Sequence, residues 1–170
     1  MDTRETIYVV DTSVLMSDPK VFFRLGCSQI VIPLAVIREL DGLKKSSNSV
    51  RASAARRVTL ILDELGSCQN MVSGAKTSSG SVVRIFGRYL AIDGLASAAD
   101  NQIVGAALSL KLDTVNANVI VLTKDGNMRN VTRAYGIKAE NYPLDLNIVV
   151  DNPNTKTYSG ANPSLTEKAA

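Results

Sequence analysis

The chain has 170 residues, with 19 Lys and Arg against 16 Asp and Glu (formal net charge +3), two cysteines and no histidine. That length suits one domain with room for a sizeable core. Without histidine there is no His-based triad, no His general base and none of the common His-containing zinc sites, so carboxylates have to carry any acid–base or metal chemistry. The mildly basic balance permits a polyanionic partner without demanding one. The absence of Trp and an aromatic content of 5% argue against base stacking as the main mode of binding.

Cys27 and Cys68 lack metal-ligand spacing, and no signal peptide or apolar run of ~18 residues occurs. The chain is therefore expected to be cytoplasmic, with reduced thiols and no membrane contact.

In chain order, Ile7 to Val10 has strong strand character and runs straight into Asp11, followed by Thr12, Ser13 and an apolar segment able to start a helix. The strand is apolar without alternation, the mark of burial on both faces of a parallel sheet. Val21 to Leu25 reads as a short helix closed at Gly26. Gln29 to Ile32 is a second buried strand, and Pro33 suits the first turn of the helix that follows. In that helix Val36, Ile37, Leu40 and Leu43 recur at helical spacing, with Gly42 as the stop. Residues 44–49 are a polar loop. Val50 to Leu65 is the clearest helix, with Ala54, Val58, Ile61, Leu62 and Leu65 on one face.

Gly66 to Ser81 is rich in Ser and Gly and reads as a flexible loop. A strand at Val82 to Phe86 follows, then a helix at Ser97 to Leu112 with Ile103, Ala107 and Leu110 as its apolar row. A strand at Asn118 to Leu122, a short helix at Asn127 to Tyr135 and a last strand at Ile137 to Ala139 complete the pattern. Strands alternating with helices imply an α/β fold: a doubly wound, mostly parallel sheet of about five strands with helices on both faces. The domain is expected to end near residue 140. Residues 141–170 read as an extended linker or tail, with Ile148 to Val150 as an extended segment.

Four acidic residues stand in similar places relative to these elements. Asp11 ends the first strand, Glu39 lies in the helix after the second, Asp100 opens a helix, and Asp125 follows the Asn118 to Leu122 strand. Each has an ordinary reading: Asp11 and Asp100 as N-caps, Asp125-Gly126 as a turn, Glu39 as a solvated helix residue no better placed than Asp41. The topology nevertheless brings at least Asp11 and Asp125 to the sheet edge where open α/β folds bind ligands. Two unit charges ~4 Å apart repel by about 4 kcal/mol at an effective dielectric of 20. Converging carboxylates would need protonation or a hard, oxygen-seeking cation such as Mg²⁺ or Mn²⁺.

The residues around these positions carry a resemblance. Val-Val-Asp11-Thr-Ser-Val-Leu, Val-Ile-Arg-Glu39-Leu-Asp-Gly-Leu, Ala-Asp100-Asn-Gln-Ile and Val-Leu-Thr123-Lys-Asp125-Gly-Asn-Met-Arg129 resemble, in order, the four acidic motifs of the PIN (PilT N-terminus) nuclease domain, over roughly Thr6 to Glu140. Among PIN proteins the chain looks most like the domain in front of PhoH-type ATPases, and the stretch from Ala139 to Gly160 is similar to the linker between the two. The resemblance implies Mg²⁺- or Mn²⁺-dependent cleavage of single-stranded RNA by an acidic cluster of Asp11, Glu39, Asp100 and Asp125, with Thr123 as the accompanying hydroxyl. It, and not periodicity, selects Glu39 over Asp41. Asn127 either completes the metal's surroundings or serves the turn. Ser13 supports the cluster, since no base is present to make it a nucleophile. No G-x-x-x-x-G-K-[ST] occurs, so an ATPase half is absent from this sequence. Gly126 follows Asp125 where bulkier residues are common in the family.

Among the cations, Lys44, Lys45 and Arg51 are candidates to meet RNA phosphates at the rim of an acidic cleft, as is Lys124 beside Asp125. The same charges also serve simply to solvate a helix and a loop. Two other functions are open to the sequence. One is a PIN-like module that binds RNA or a protein without cutting. The other is a haloacid dehalogenase-type phosphatase with Asp11 as nucleophile, although that family wants a second Asp where Ser13 stands. Homo-oligomers and a regulatory protein or ATPase domain are the partners the resemblance suggests.

Overall fold

A computed structural model describes residues 5–26 and 28–142. The strands are β1 (Thr6–Val10), β2 (Gln29–Pro33), β3 (Ala75–Lys76), β4 (Val82–Phe86), β5 (Asn118–Leu122) and β6 (Lys138–Glu140). The helices are α1 (Thr12–Ser17), α2 (Leu34–Leu43), α3 (Ser49–Cys68), α4 (Ala98–Asp113) and α5 (Gly126–Ala134), with a single 3₁₀ turn at Val21–Phe23. The six strands form one sheet in the order β3-β4-β2-β1-β5-β6. Every pairing is parallel except β3 with β4.

The central strands are built from β-branched residues that side-chain packing holds on a pleated surface. Val9, Val10, Ile30, Val31, Ile32, Val121 and Leu122 are all fully buried, as parallel strands covered on both faces must be. The chain winds from β1 through β2 to β4, then returns across the sheet to β5 and on to β6. α1, α2 and α3 pack on one another, α4 packs on α5 and on β5, β1 and β2, and α2 and α4 also touch. The direction of winding reverses between β1 and β5, and this is where doubly wound sheets open a crevice beyond the strand ends.

Several expectations from the sequence need correction. The sheet has six strands, because the segment expected to be a flexible loop carries β3. There the Gln69 side chain bonds the backbone of Lys76 (2.7 and 3.1 Å), and a turn closes from Thr77 N–H to the Ser81 carbonyl (2.8 Å) through Gly80 at φ +89°. The long helix runs on to Cys68. Its buried row is Ala52, Ala55, Val58 and Leu62; Ala54 is only half-buried, because the helix meets α1 and α2 one residue further round than its own pattern suggests. Pro33 closes β2 and stands at the N-cap of α2, not in its first turn. Gly42 stays helical, and α2 ends one residue later. The last strand is shifted by one residue, to Lys138–Glu140.

Cys68 is an exposed free thiol. Cys27 lies outside the described residues, as do the extended segment expected at 148–150 and the tail from residue 143 onward. Among the described residues, no helix is long and apolar enough to cross a membrane.

Candidate active site

Asp11 is the residue at which β1 becomes α1. Its backbone N–H still donates to Leu122 of β5 (3.0 Å), while its own carbonyl already accepts from the first turn of α1. It occupies the N-cap position, but its side chain makes no capping bond. The carboxylate instead accepts two hydroxyl donors on the same oxygen, Oδ2: Ser13 Oγ at 2.5 Å and Thr123 Oγ1 at 2.7 Å. Both hydroxyls are themselves held from behind. Lys124 N–H donates to Ser13 Oγ (3.2 Å) and Asp125 N–H donates to Thr123 Oγ1 (3.1 Å). The ends of β1 and β5 are thus joined through hydroxyl relays, with Asp11 buried (5% exposed) at their focus. Buried polar groups persist only when satisfied in this way.

The other acids come from three further elements. Asp125 does cap its helix: Oδ1 accepts from Asn127 N–H (2.7 Å) and Met128 N–H (3.1 Å) at the start of α5. Ser97, not Asp100, caps α4, accepting from Asp100 N–H (3.3 Å). Asp100 therefore sits in the first turn, where the helix dipole favours a negative charge. Glu39, in the middle of α2, accepts a hydrogen bond from the buried Thr12 hydroxyl. Asp11, Glu39, Asp100 and Asp125 line one open cavity of about 480 Å³, together with Thr12, Ser13, Met16, Gly42, Leu43, Met128 and Arg51.

The four charges sense one another. Burial pushes the Asp100 carboxyl up to about 6, reinforced in turn by the charges of Asp11, Glu39 and Asp125. Burial also raises Glu39, with the Asp11 charge adding to it and the Thr12 hydrogen bond opposing it. A carboxyl raised in the folded protein stabilises the fold fully below its unfolded value near 3.8 and loses that contribution as pH rises through about 6. In EDTA, Asp100→Asn is therefore expected to raise the melting temperature near neutral pH. It should also flatten the melting profile between about pH 4 and 7. A variant that melts in parallel with the wild type across that range would show that Asp100 does not feel the cluster.

Glu39 and Asp41 part company here. Asp41 leaves the cavity, pairs with Lys44 (2.8 Å) and Lys45 (3.8 Å), and is held below its usual range, chiefly by the Lys44 hydrogen bond. Lys44 and Lys45 stand beside Asp41 and do not line the acidic cavity. Arg51 does, because Asn48 caps α3 (Oδ1 to Val50 and Arg51 N–H, both 3.1 Å) and fixes Arg51 in the first turn. Lys124 is exposed beside Asp125. Asn127 serves α5 through its backbone, and its exposed side chain is not among the cavity-lining groups.

Five contributors have roles that the sequence alone does not assign. Thr12 orients Glu39. Met16, Leu43 and Met128 give the cavity an apolar wall. Arg129 spans from α5 to the Thr123 carbonyl and the Asn141 side chain (both 3.1 Å), bracing the end of β5. Only Arg129 left a trace in sequence, four residues after Asp125 and so one helical turn above it.

Among the described residues, no three acidic side chains close on a single point as a ready metal-ligating set; they form an open rim round the cavity. The donor chemistry nonetheless fits a hard divalent cation. The ligands are oxygen only, and the excess negative charge that raises Asp100 is what such an ion relieves.

Comparison with known proteins agrees with this picture. A family model described as PIN domain matches residues 8–143. Protein PhoH2 of Bacillus subtilis is 31% identical over 163 residues, covering 91% of this chain and 36% of that protein. Protein PhoH2 of Thermobispora bispora is 28% identical over 145 residues, covering 82% and 32%. The chain thus spans about a third of the length of these relatives. A solved domain of a functionally unknown protein from Methanocaldococcus jannaschii shares the fold, with a TM-score of 0.55 at 15% identity over 95% of this chain and 99% of that one. With the acidic positions gathered at one sheet edge inside the matched span, the chain belongs to the PIN domain family, a family of nuclease-type fold, and is related to the PhoH2 proteins.

Proposed function

We propose that this chain is an endoribonuclease that hydrolyses phosphodiester bonds of single-stranded RNA with Mg²⁺ or Mn²⁺ held by Asp11, Asp100 and Asp125, and by Glu39 at the edge of the set. The observation that carries the reading is the meeting of four carboxylates, from the end of β1, from α2, from α4 and from the N-cap of α5, in one open cavity with an arginine on its rim. When bound, such an ion supplies positive charge to the phosphate and lowers the pKa of an attacking water.

The protein's own share is positioning. Ser13 and Thr123 lock Asp11 through Oδ2; among the described residues its hydrogen bonds all fall on that oxygen, so Oδ1 remains available to the cavity. Thr12 holds Glu39 facing Asp11. Asp100, its carboxyl raised to about 6 chiefly by burial, gives up its proton as pH rises past that value or as a bound cation offsets the neighbouring charges. Arg51, exposed at the mouth, offers a guanidinium to a phosphate oxygen, a contact that adds affinity without reading sequence. Lys124 is a second such cation.

Two measurements test this. Labelled single-stranded RNA incubated with the protein in Mg²⁺ or Mn²⁺ should be cut internally, and EDTA should stop the cutting. Titrating Mn²⁺ should also raise the melting temperature by several degrees, since ligand at 100 times its Kd contributes about 2.7 kcal/mol to the folded state. RNA left intact in both metals, with no thermal shift, would overturn the proposal.

A further inference from the structure

A second surface lies on the far side of the α2–α4 contact. β4 is flanked at the sheet edge by the two residues of β3 and by Met71, whose carbonyl accepts from Ile85 N–H (2.8 Å), and its two faces differ at Val83. Val83 is fully buried with Ala75 of β3, and Ile85 faces the groove under α2 and α3. The opposite face carries Val82, Arg84 and Phe86, all only half-buried, and Lys76 stands across from Val82 on the same side, exposed. α4 covers β5, β1 and β2 and reaches this strand only at its end, where Gln102 and Ala106 border a small cleft with Phe86, Arg88 and Tyr89.

On this open face the chemistry is concentrated. The guanidinium carbons of Arg84 and Arg88 each lie 5.6 Å from the centre of the Phe86 ring. Nε of Arg84 is buried and, among the described residues, has no hydrogen-bond partner. Arg88 pairs with Asp113 yet keeps a side chain 69% exposed, and Tyr89 is half exposed. The small cleft and the acidic cavity are lined by the same two helices, α2 and α4. Arg38 directly precedes Glu39 on α2 and donates to Gln102, two residues past Asp100 on α4, so one hydrogen bond forms the sill between the two sites.

We infer that the open face of β4, with Phe86 between Arg84 and Arg88 and with Lys76 and Tyr89 beside it, is a docking rail for a single-stranded RNA segment lying next to the bond that is cut. This rests on the RNA-cleaving reading of the acidic cavity and adds to it where the rest of the strand lies. Arg84 and Arg88 are four residues apart, Arg84 within β4 and Arg88 just past its end, and each guanidinium carbon lies 5.6 Å from the Phe86 ring between them. They meet phosphates of the same strand, while the aromatic rings accept an unpaired base. A duplex keeps its bases stacked within and has no base face to offer here. Lys44 and Lys45, by contrast, stand beside Asp41 at the C-terminal end of α2.

The test is equilibrium binding of a fluorescent single-stranded RNA of about 15 nucleotides, long enough to fill a single-strand site, measured in EDTA over a range of salt. Cleavage in Mn²⁺ is scored separately. Arg84→Gln with Arg88→Gln should raise Kd about tenfold and lower the slope of log K against log salt by about 1.4, two phosphate contacts at about 0.7 each. Phe86→Leu should weaken binding with the salt slope unchanged. Lys138→Gln, a cation removed from the opposite sheet edge, should change neither. If the Arg84 variant melts early, Lys76→Gln with Arg88→Gln, both at exposed positions, carries the same prediction. Equal Kd and slope for wild type and these variants, an equal loss for Lys138→Gln, binding of duplex as tight as single strand, or competition by polyglutamate as effective as by RNA would each overturn the rail. Binding that obeys these rules without any cleavage in Mn²⁺ would leave the rail standing and remove the nuclease reading instead.

Discussion

Asp11→Asn is expected to lower RNA cleavage in Mn²⁺ by on the order of 10²–10³-fold, the scale of losing one preorganised electrostatic contact in a catalytic site. The physical reason is the position of Asp11 at the focus of the hydroxyl relays. It is the buried member of the cluster and is fixed by Ser13 and Thr123, so no neighbouring acid can swing in to replace it. The fold should survive, because an asparagine carbonyl oxygen can accept the same two hydroxyl hydrogen bonds and the substitution removes one charge from a group of four. Melting in EDTA should therefore be no lower than in the wild type, and the Mn²⁺-induced rise in melting temperature should disappear. Initial rates on labelled single-stranded RNA, with thermal melts in EDTA and Mn²⁺, check all three. Undiminished cleavage by the variant would remove Asp11 from the mechanism.

Gly105→Ala carries the largest expected effect on stability. On an ordinary helix this change gains about 1 kcal/mol, since glycine loses more backbone entropy than alanine. Here the sign reverses. The loop from Gly87 to Ser97 crosses α4 at Gly105, where Leu90 N–H donates to the Gly105 carbonyl (3.1 Å), and a β-carbon at 105 would stand 2.1 Å from the Leu90 carbonyl oxygen. Backbone at that distance has to move. The expected cost is about 1–3 kcal/mol, the range found for overpacking. At roughly 2–4 °C per kcal/mol for a chain of this size, melting should fall by several degrees. The same loop delivers Ser97 and Asp100 to the first turn of α4, so Mn²⁺-induced stabilisation should weaken along with the fold. Denaturant unfolding of the variant in EDTA and in Mn²⁺ measures both, and a gain in stability would mean that the crossing is looser than these distances require.

The sequence by itself determined the alternation of buried apolar strands with amphipathic helices, and hence the parallel α/β sheet. It also placed Asp11 and Asp125 at strand ends, because both properties are local: a run of β-branched residues and the turn that ends it announce themselves within ten residues. The tertiary structure alone decided the rest. β3 forms because it pairs with the edge of β4 and Gln69 bonds its backbone, a pairing that a two-residue strand cannot announce. Ala55 is buried in place of Ala54 because α1 and α2 set the roll of α3. Glu39 and Asp41 are near-equivalent on a helical wheel. They were separated by the Thr12 hydroxyl on one side and Lys44 on the other, groups that lie 27 residues away and 3 residues away along the chain. The raised carboxyl of Asp100 likewise comes from its burial in the fold and then from charges on three other elements. Periodicity records what a segment buries, whereas burial partners, charge coupling and close backbone crossings depend on which distant segment arrives opposite, and only the folded chain specifies that.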